Sequence, residues 1–184
     1  YNPNAKETDP DPAVADWGLF TNLLNRATRT MFYSFQKYNN GNQVIPRGNV
    51  SDAVMREAEE AILRVEKHMA TQSFHQVMYA LGDYFRLINK EISALFKDFA
   101  NEFDKEKFDQ AMRDAIHMVK TATVLAHPVA PKSTEAVMAF MNLPKTVFSW
   151  DTIFDSVDAI TEPGHTIQVL EPRSDFYVKP EWQY

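Results

Sequence analysis

Between residues 13 and 143, apolar residues recur every three or four positions in five successive segments, and each segment ends at a turn signal. A chain patterned this way buries one face of each helix against the others, which restricts it to an all-α packing. The first segment carries Phe20, Leu24, Ala27, Met31 and Phe35 and stops at Asn39-Asn40-Gly41-Asn42. Ser51, followed by acidic residues, reads as the N-cap of a second helix with the stripe Val54, Ala58, Ile62 and Val65. A third starts near Ser73, with Phe74, Val77, Leu81, Phe85, Ile88, Ile92 and Leu95/Phe96 on its apolar side. Asp104 is placed to cap a fourth, which holds Phe108, Met112, Ile116 and Val119 and ends before Pro128. A short fifth opens near Ser133-Thr134-Glu135, and 147–159 has room for one more helical turn. The pattern predicts an antiparallel bundle of four to five helices closed by an extended C-terminal arm. The boundaries are a linker over 1–12, the helical domain over 13–160 and the arm over 161–184. Five glycines against ten prolines, six of them near the two ends, fit extended segments around a helical middle.

Composition removes several kinds of chemistry. There is no cysteine, so disulfides, thiolate metal sites and cysteine nucleophiles are excluded, and a cytoplasmic location fits. No run of about 18 apolar residues exists to cross a membrane. The start, YNPNAKETDPDPAV, has no basic-then-apolar leader and no initiator methionine, which suggests a segment of a longer polypeptide. Gly-rich phosphate loops, nucleophile elbows and H-E-x-x-H motifs are all missing. The nearest approach to a bundle metal site is Asp114-Ala-Ile-His117, which occurs once, where a carboxylate-bridged pair needs two such motifs. The expectation is no catalytic residue, no metal and no cofactor in this chain.

One stripe does not fit a plain core helix. Asn22, Arg26, Arg29 and Tyr33 are four, three and four residues apart, so they share one side of the first helix beside its apolar stripe. Asn25 lies on the next face round. An amide and a guanidinium one turn apart suit base edges, because Asn donates and accepts together and Arg bonds two acceptors or stacks on a ring. Tyr33 could add a stacking platform. The plain alternative is a solvated polar face whose arginines pair with acids of the next helix, such as Glu57 or Glu60. A net charge of −6 argues against broad phosphate binding but leaves room for a local basic face.

The run NLLNR, with Asn22 and Arg26 in an N-x-x-x-R frame, is followed by RTMFYSFQKY and a Val-Ile-Pro loop. It resembles the first helix of the anticodon-binding domain of methionyl-tRNA synthetases, a class I aminoacyl-tRNA synthetase family. Residues 74–90, ending in Asn89-Lys90, then 107–143 with its proline break, Trp150-Asp151 and Pro163-Gly164-His165 resemble family segments in the same order. The resemblance spans about residues 17–170. It implies that Asn22 and Arg26 read the CAU anticodon, that Arg29 and Lys90 touch the tRNA, and that Tyr33 or Phe96 stacks; Asn25 joins them as a tRNA contact. Two departures stand out. The family's Pro-Trp after the "-NK" pair, whose Trp stacks on an anticodon base, is replaced here by EISALFKDF. The closing "P-L-F" is replaced by LEPRSDFYVKPEW. HIGH- and KMSKS-type motifs are absent from the chain. By this resemblance the partners are initiator or elongator methionine tRNA and a catalytic domain of the same polypeptide, which would supply ATP and Mg chemistry as a methionine–tRNA ligase. The alternative is a diverged synthetase-like bundle that has lost anticodon reading and serves as a structural or protein-interaction module.

Overall fold

The computed structural model describes the backbone of residues 12–178 and the side chains of 17–178. The expected linker over 1–12 falls almost wholly outside that range, as does the end of the arm. Five helices follow one another: α1 (Pro12–Tyr38), α2 (Asp52–Ala70), α3 (Phe74–Leu95), α4 (Lys105–Ala126) and α5 (Pro131–Phe140). Two short 3-10 turns, Lys145–Phe148 and Trp150–Thr152, occupy the stretch expected to hold one more helical turn. The described residues contain no strand, only an isolated antiparallel bridge between Val44 and Thr166.

α3 and α4 form the middle of the bundle, and each packs on both α1 and α2. Arg64 meets Asp83 across the α2–α3 hairpin, so those helices run antiparallel. Phe20 meets Phe85 while Tyr38 meets Phe99 and Phe108, so α1 lies along α3 in the same sense and against α4 in the opposite one. From α1 to α4, successive helices therefore reverse direction. The core contains Phe20, Leu24, Met31 and Phe35 of α1 and Ile62 and Val65 of α2. α3 adds Leu81, Phe85, Ile88 and Ile92, and α4 adds Phe108, Met112, Ile116 and Val119. These are the predicted stripes, with one exception: Phe74, at the first position of α3, stays 61% exposed.

The ends of the helices show which caps operate. Asp104 behaves as expected, its Oδ1 accepting from the backbone N–H groups of Glu106 and Lys107 at 3.0 and 3.1 Å. Those bonds hold its carboxyl below the ordinary value. Ser51 is a correction, because its side chain caps nothing in α2. Its N–H and hydroxyl both donate to the Asp114 carboxylate of α4, at 2.8 and 2.6 Å. Gln110 and Arg113 continue this seam by donating to the carbonyls of Asn49 and Arg47, so the 47–51 loop is tied to α4 rather than left to solvent. α5 begins two residues earlier than expected, with Pro131 at the first helical position, where its missing N–H has no partner to lose.

Two buried titratable groups of α4 face the 150–155 segment and α2. Lys120 is fully buried, and its ammonium donates to the carbonyls of Thr152, Ile153 and Asp155 at 3.0, 2.6 and 3.0 Å. Burial pushes it down to about 8, while the Asp155 carboxylate pulls the other way. His117, one turn back, is pushed down to about 4, first by burial and then by the Lys120 charge, and its Nδ1 has no hydrogen-bond partner. With Asp114 committed to Ser51, Asp114 and His117 do not converge. Among the described residues no group of three His, Asp or Glu side chains could hold a metal ion, and no described helix is long and apolar enough to cross a membrane.

Candidate nucleic-acid interface

The polar stripe of α1 divides into two parts. Asn25, Arg29, Tyr33 and Gln36 hold the C-terminal arm. Asn25 is buried; its Nδ2 donates to the Tyr177 carbonyl at 2.7 Å and its Oδ1 accepts from the N–H groups of Phe176 and Tyr177, both at 3.0 Å. Arg29 pairs with Asp175 at 2.7 Å. The Tyr33 hydroxyl donates to the Glu171 carbonyl and accepts from the Arg173 N–H, each at 3.0 Å. Gln36 closes the ladder by bonding both backbone groups of Leu170, at 3.2 and 2.9 Å. Four side chains spaced by four, four and three residues thus grip an extended segment along about 16 Å of helix. Apolar contacts secure the same segment: Ile167, Leu170 and Tyr177 are buried, and the Phe176 ring packs on Phe140 and Phe32.

Asn22 and Arg26 form the other part. Both are exposed, and neither makes a hydrogen bond or ion pair among the described residues. Arg29 finds its carboxylate on the arm, where the sequence reading looked to Glu57 or Glu60. Those two face a groove between α2 and α3 with Arg64 and Asp83.

The exposed side of α3 that adjoins α1 extends this second part. Gly82 sits where a Cβ would lie 3.0 Å from the Phe20 ring, and the Arg86 guanidinium borders the same point at 3.3 Å. The absent side chain lets the two helices approach closely at that crossing. Arg86 and Lys90 follow one turn apart on α3, and both are exposed; Lys97, also exposed, lies in the bend just past the helix end. Lys90 lies 3.5 Å from Glu91 and is otherwise open to solvent; Arg86 is 3.5 Å from Asp83. Asn22 and Arg26 thus lie on the helix that packs against α3, whose exposed Arg86 and Lys90 are cations.

The structure separates the residues singled out in the sequence. Asn22, Arg26 and Lys90 present themselves to solvent on adjoining helices. Asn25, Arg29 and Tyr33 spend their polar groups on the arm, with Arg29 and Tyr33 half-buried beside it. Phe96 is corrected as a stacking platform: it is buried, with its ring 6.2 Å from both Phe99 and Phe108 in a cluster that also takes in Tyr38 and Phe103. It has no face to offer a base. Gln36, Arg86 and Lys97 went unselected in the sequence reading. The i, i+4, i+8, i+11 spacing of Asn25, Arg29, Tyr33 and Gln36 was the available signal for the arm clamp.

No protein-family model matches the sequence, and no curated protein does. Among solved structures the chain is similar to three forms of the methionyl-tRNA synthetase of Mycobacterium tuberculosis. The apo form gives a TM-score of 0.67 at 19% identity, over 86% of this chain and 32% of that one. Two forms bound to methionyl-adenylate give TM-scores of 0.65 and 0.59 at 20% identity, over 86% and 85% of this chain and 30% of each of those. At such identity the likeness speaks for the fold. The chain has the helical fold of a portion of that synthetase, and it spans about a third of the synthetase's length.

Proposed function

We propose that the chain is a tRNA-binding helical domain of a synthetase, and that Asn22 and Arg26 read anticodon bases. The observation that carries this reading is the pair itself: an amide and a guanidinium one turn apart, both exposed and both uncommitted among the described residues. The neighbouring Asn25, Arg29 and Tyr33 are engaged by the arm. Arg26 can present two donors to a base edge, and Asn22 can donate and accept on the next base. The exposed Arg86 and Lys90 of α3 would supply cations for a phosphate backbone leaving the loop. The fold shared with the M. tuberculosis enzyme and the ordered sequence resemblance favour methionine tRNA, with its CAU anticodon, as the partner in the cytoplasm. Activation of methionine with ATP and Mg would belong to a catalytic part of the same polypeptide outside these residues; this sequence has no phosphate loop to hold them.

Arg26→Ala tests the pair. Loss of one bidentate base contact costs about 1–3 kcal/mol, so the variant should bind CAU-bearing tRNA about tenfold or more weakly. Because Arg26 is exposed, its urea midpoint should stay at the wild-type value. Unchanged tRNA affinity in a folded Arg26→Ala protein would remove Arg26 from the interface and favour the structural or protein-interaction reading.

A further inference from the structure

The arm does more than cover α1; it brings an arginine of its own to the edge of the candidate interface. Residues 171–174, Glu-Pro-Arg-Ser, make a tight turn closed by the Ser174 N–H on the Glu171 carbonyl at 3.3 Å. Pro172 stands at the second position and Arg173 at the third, with φ +64°. That third position of a type II pattern needs positive φ and ordinarily takes glycine or asparagine. A long side chain there is strained, and the turn is held nonetheless. The Tyr33 hydroxyl fixes both sides of it, donating to the Glu171 carbonyl and accepting from the Arg173 N–H. The Ser174 hydroxyl adds a bond to the same Glu171 carbonyl at 2.8 Å. Arg173 itself is exposed and makes no ion pair among the described residues. Of the two acids beside it, Asp175 is taken by Arg29, while the exposed Glu171 carboxylate makes no ion pair with Arg173.

We propose that Arg173 is a further RNA-binding residue, presented by Tyr33 toward the ribose-phosphate backbone of a loop whose bases meet Asn22 and Arg26. Strain kept at one exposed cation, with the backbone locked by a side chain of the stripe, is what preorganisation for an anion would look like. Tyr33 lies two turns beyond Arg26 on α1, so the Arg173 backbone sits within about 10 Å along the axis of the base-reading pair, inside the reach of one nucleotide and one guanidinium. Tyr33 thereby acts as a positioning residue. This inference rests on the proposed tRNA reading and adds to it a contact from outside the helices.

Arg173→Gly is a discriminating test because folding and binding should respond differently. Glycine is at ease at φ +64°, so the variant of the full chain should melt at the wild-type temperature or higher. Its affinity for CAU-bearing tRNA should fall about threefold or more, and the slope of log K against log salt should shrink by nearly one contact. Arg173→Asn, also tolerant of positive φ, should behave the same way, while Arg173→Lys should keep the wild-type salt slope. Equal tRNA affinity and salt slope in Arg173→Gly and wild type would overturn the proposal. If Arg26→Ala weakens binding and Arg173→Gly does not, this inference alone falls; if wild type binds no tRNA, the functional reading falls with it.

Discussion

Lys120→Met lowers the stability of the chain by about 2–4 kcal/mol, read as a shift of the urea midpoint at unchanged slope. The ammonium is fully buried and satisfies three carbonyls that have turned inward at the end of the 150–155 segment. Methionine fills a similar volume, so no large cavity opens, but the Ile153 and Asp155 carbonyls lose their donor, while the Thr152 carbonyl keeps the Asp155 N–H at 3.1 Å. Each orphaned group costs about 1–3 kcal/mol, and relief from burying a charge offsets part of the sum. A change under about 0.5 kcal/mol would show that the carbonyls find other partners. The pH dependence adds a second handle. The folded lysine titrates near 8 and the unfolded one near 10.5, so between those values the unfolded chain holds the extra proton. The lysine's contribution to stability therefore rises with pH across that window, and the wild-type advantage over Lys120→Met should widen from pH 8 to pH 10.

Asn25→Leu releases the arm. The buried amide serves two N–H groups and one carbonyl of residues 176–177 and nothing else. Leucine matches its size and offers no polar atom, so three backbone groups are left unpaired under the arm, at a cost of about 2–4 kcal/mol. The same variant should become sensitive to limited proteolysis within 170–178 while the helices stay protected, because apolar contacts among α1, α3 and α4 do not pass through Asn25. An arm as resistant as wild type would mean that Tyr177, Leu170 and the Phe176 contacts suffice to hold it.

The first four helices were legible in the sequence because each is long and periodic enough for burial to follow from spacing alone, and the stripes Leu24/Met31/Phe35 and Leu81/Phe85/Ile88/Ile92 land inside as read. Asp104 was legible because an N-cap acts within three residues. Ser51 was not, since its competitor, the Asp114 carboxylate, is 63 residues away on α4 and takes both its N–H and its hydroxyl. The arm shows the same limit on a larger scale. Its bonds to α1 join residues 134 to 152 positions apart, and an extended segment carries no period to announce its register. The polar stripe was visible, but its division was not. Asn22, Arg26, Arg29 and Tyr33 share one side of the helix, and which of them meets the arm depends on the path of residues 170–177, which spacing on α1 does not encode. Phe96 illustrates the opposite case: periodicity placed it inside, the resemblance asked for an aromatic outside, and the structure follows the periodicity because Phe99, Phe103, Phe108 and Tyr38 close around it.

The central claim is that the open Asn22/Arg26 face reads anticodon bases. Its most direct test is a titration of the wild-type chain against two tRNAs that share one body and differ only in the anticodon, CAU in one and an unrelated triplet in the other, at fixed low salt. Base reading by the pair predicts that the CAU form binds about tenfold or more tightly, and that this preference collapses in Asn22→Ala/Arg26→Ala. Equal affinity for the two tRNAs, or a preference that survives loss of both side chains, would contradict it.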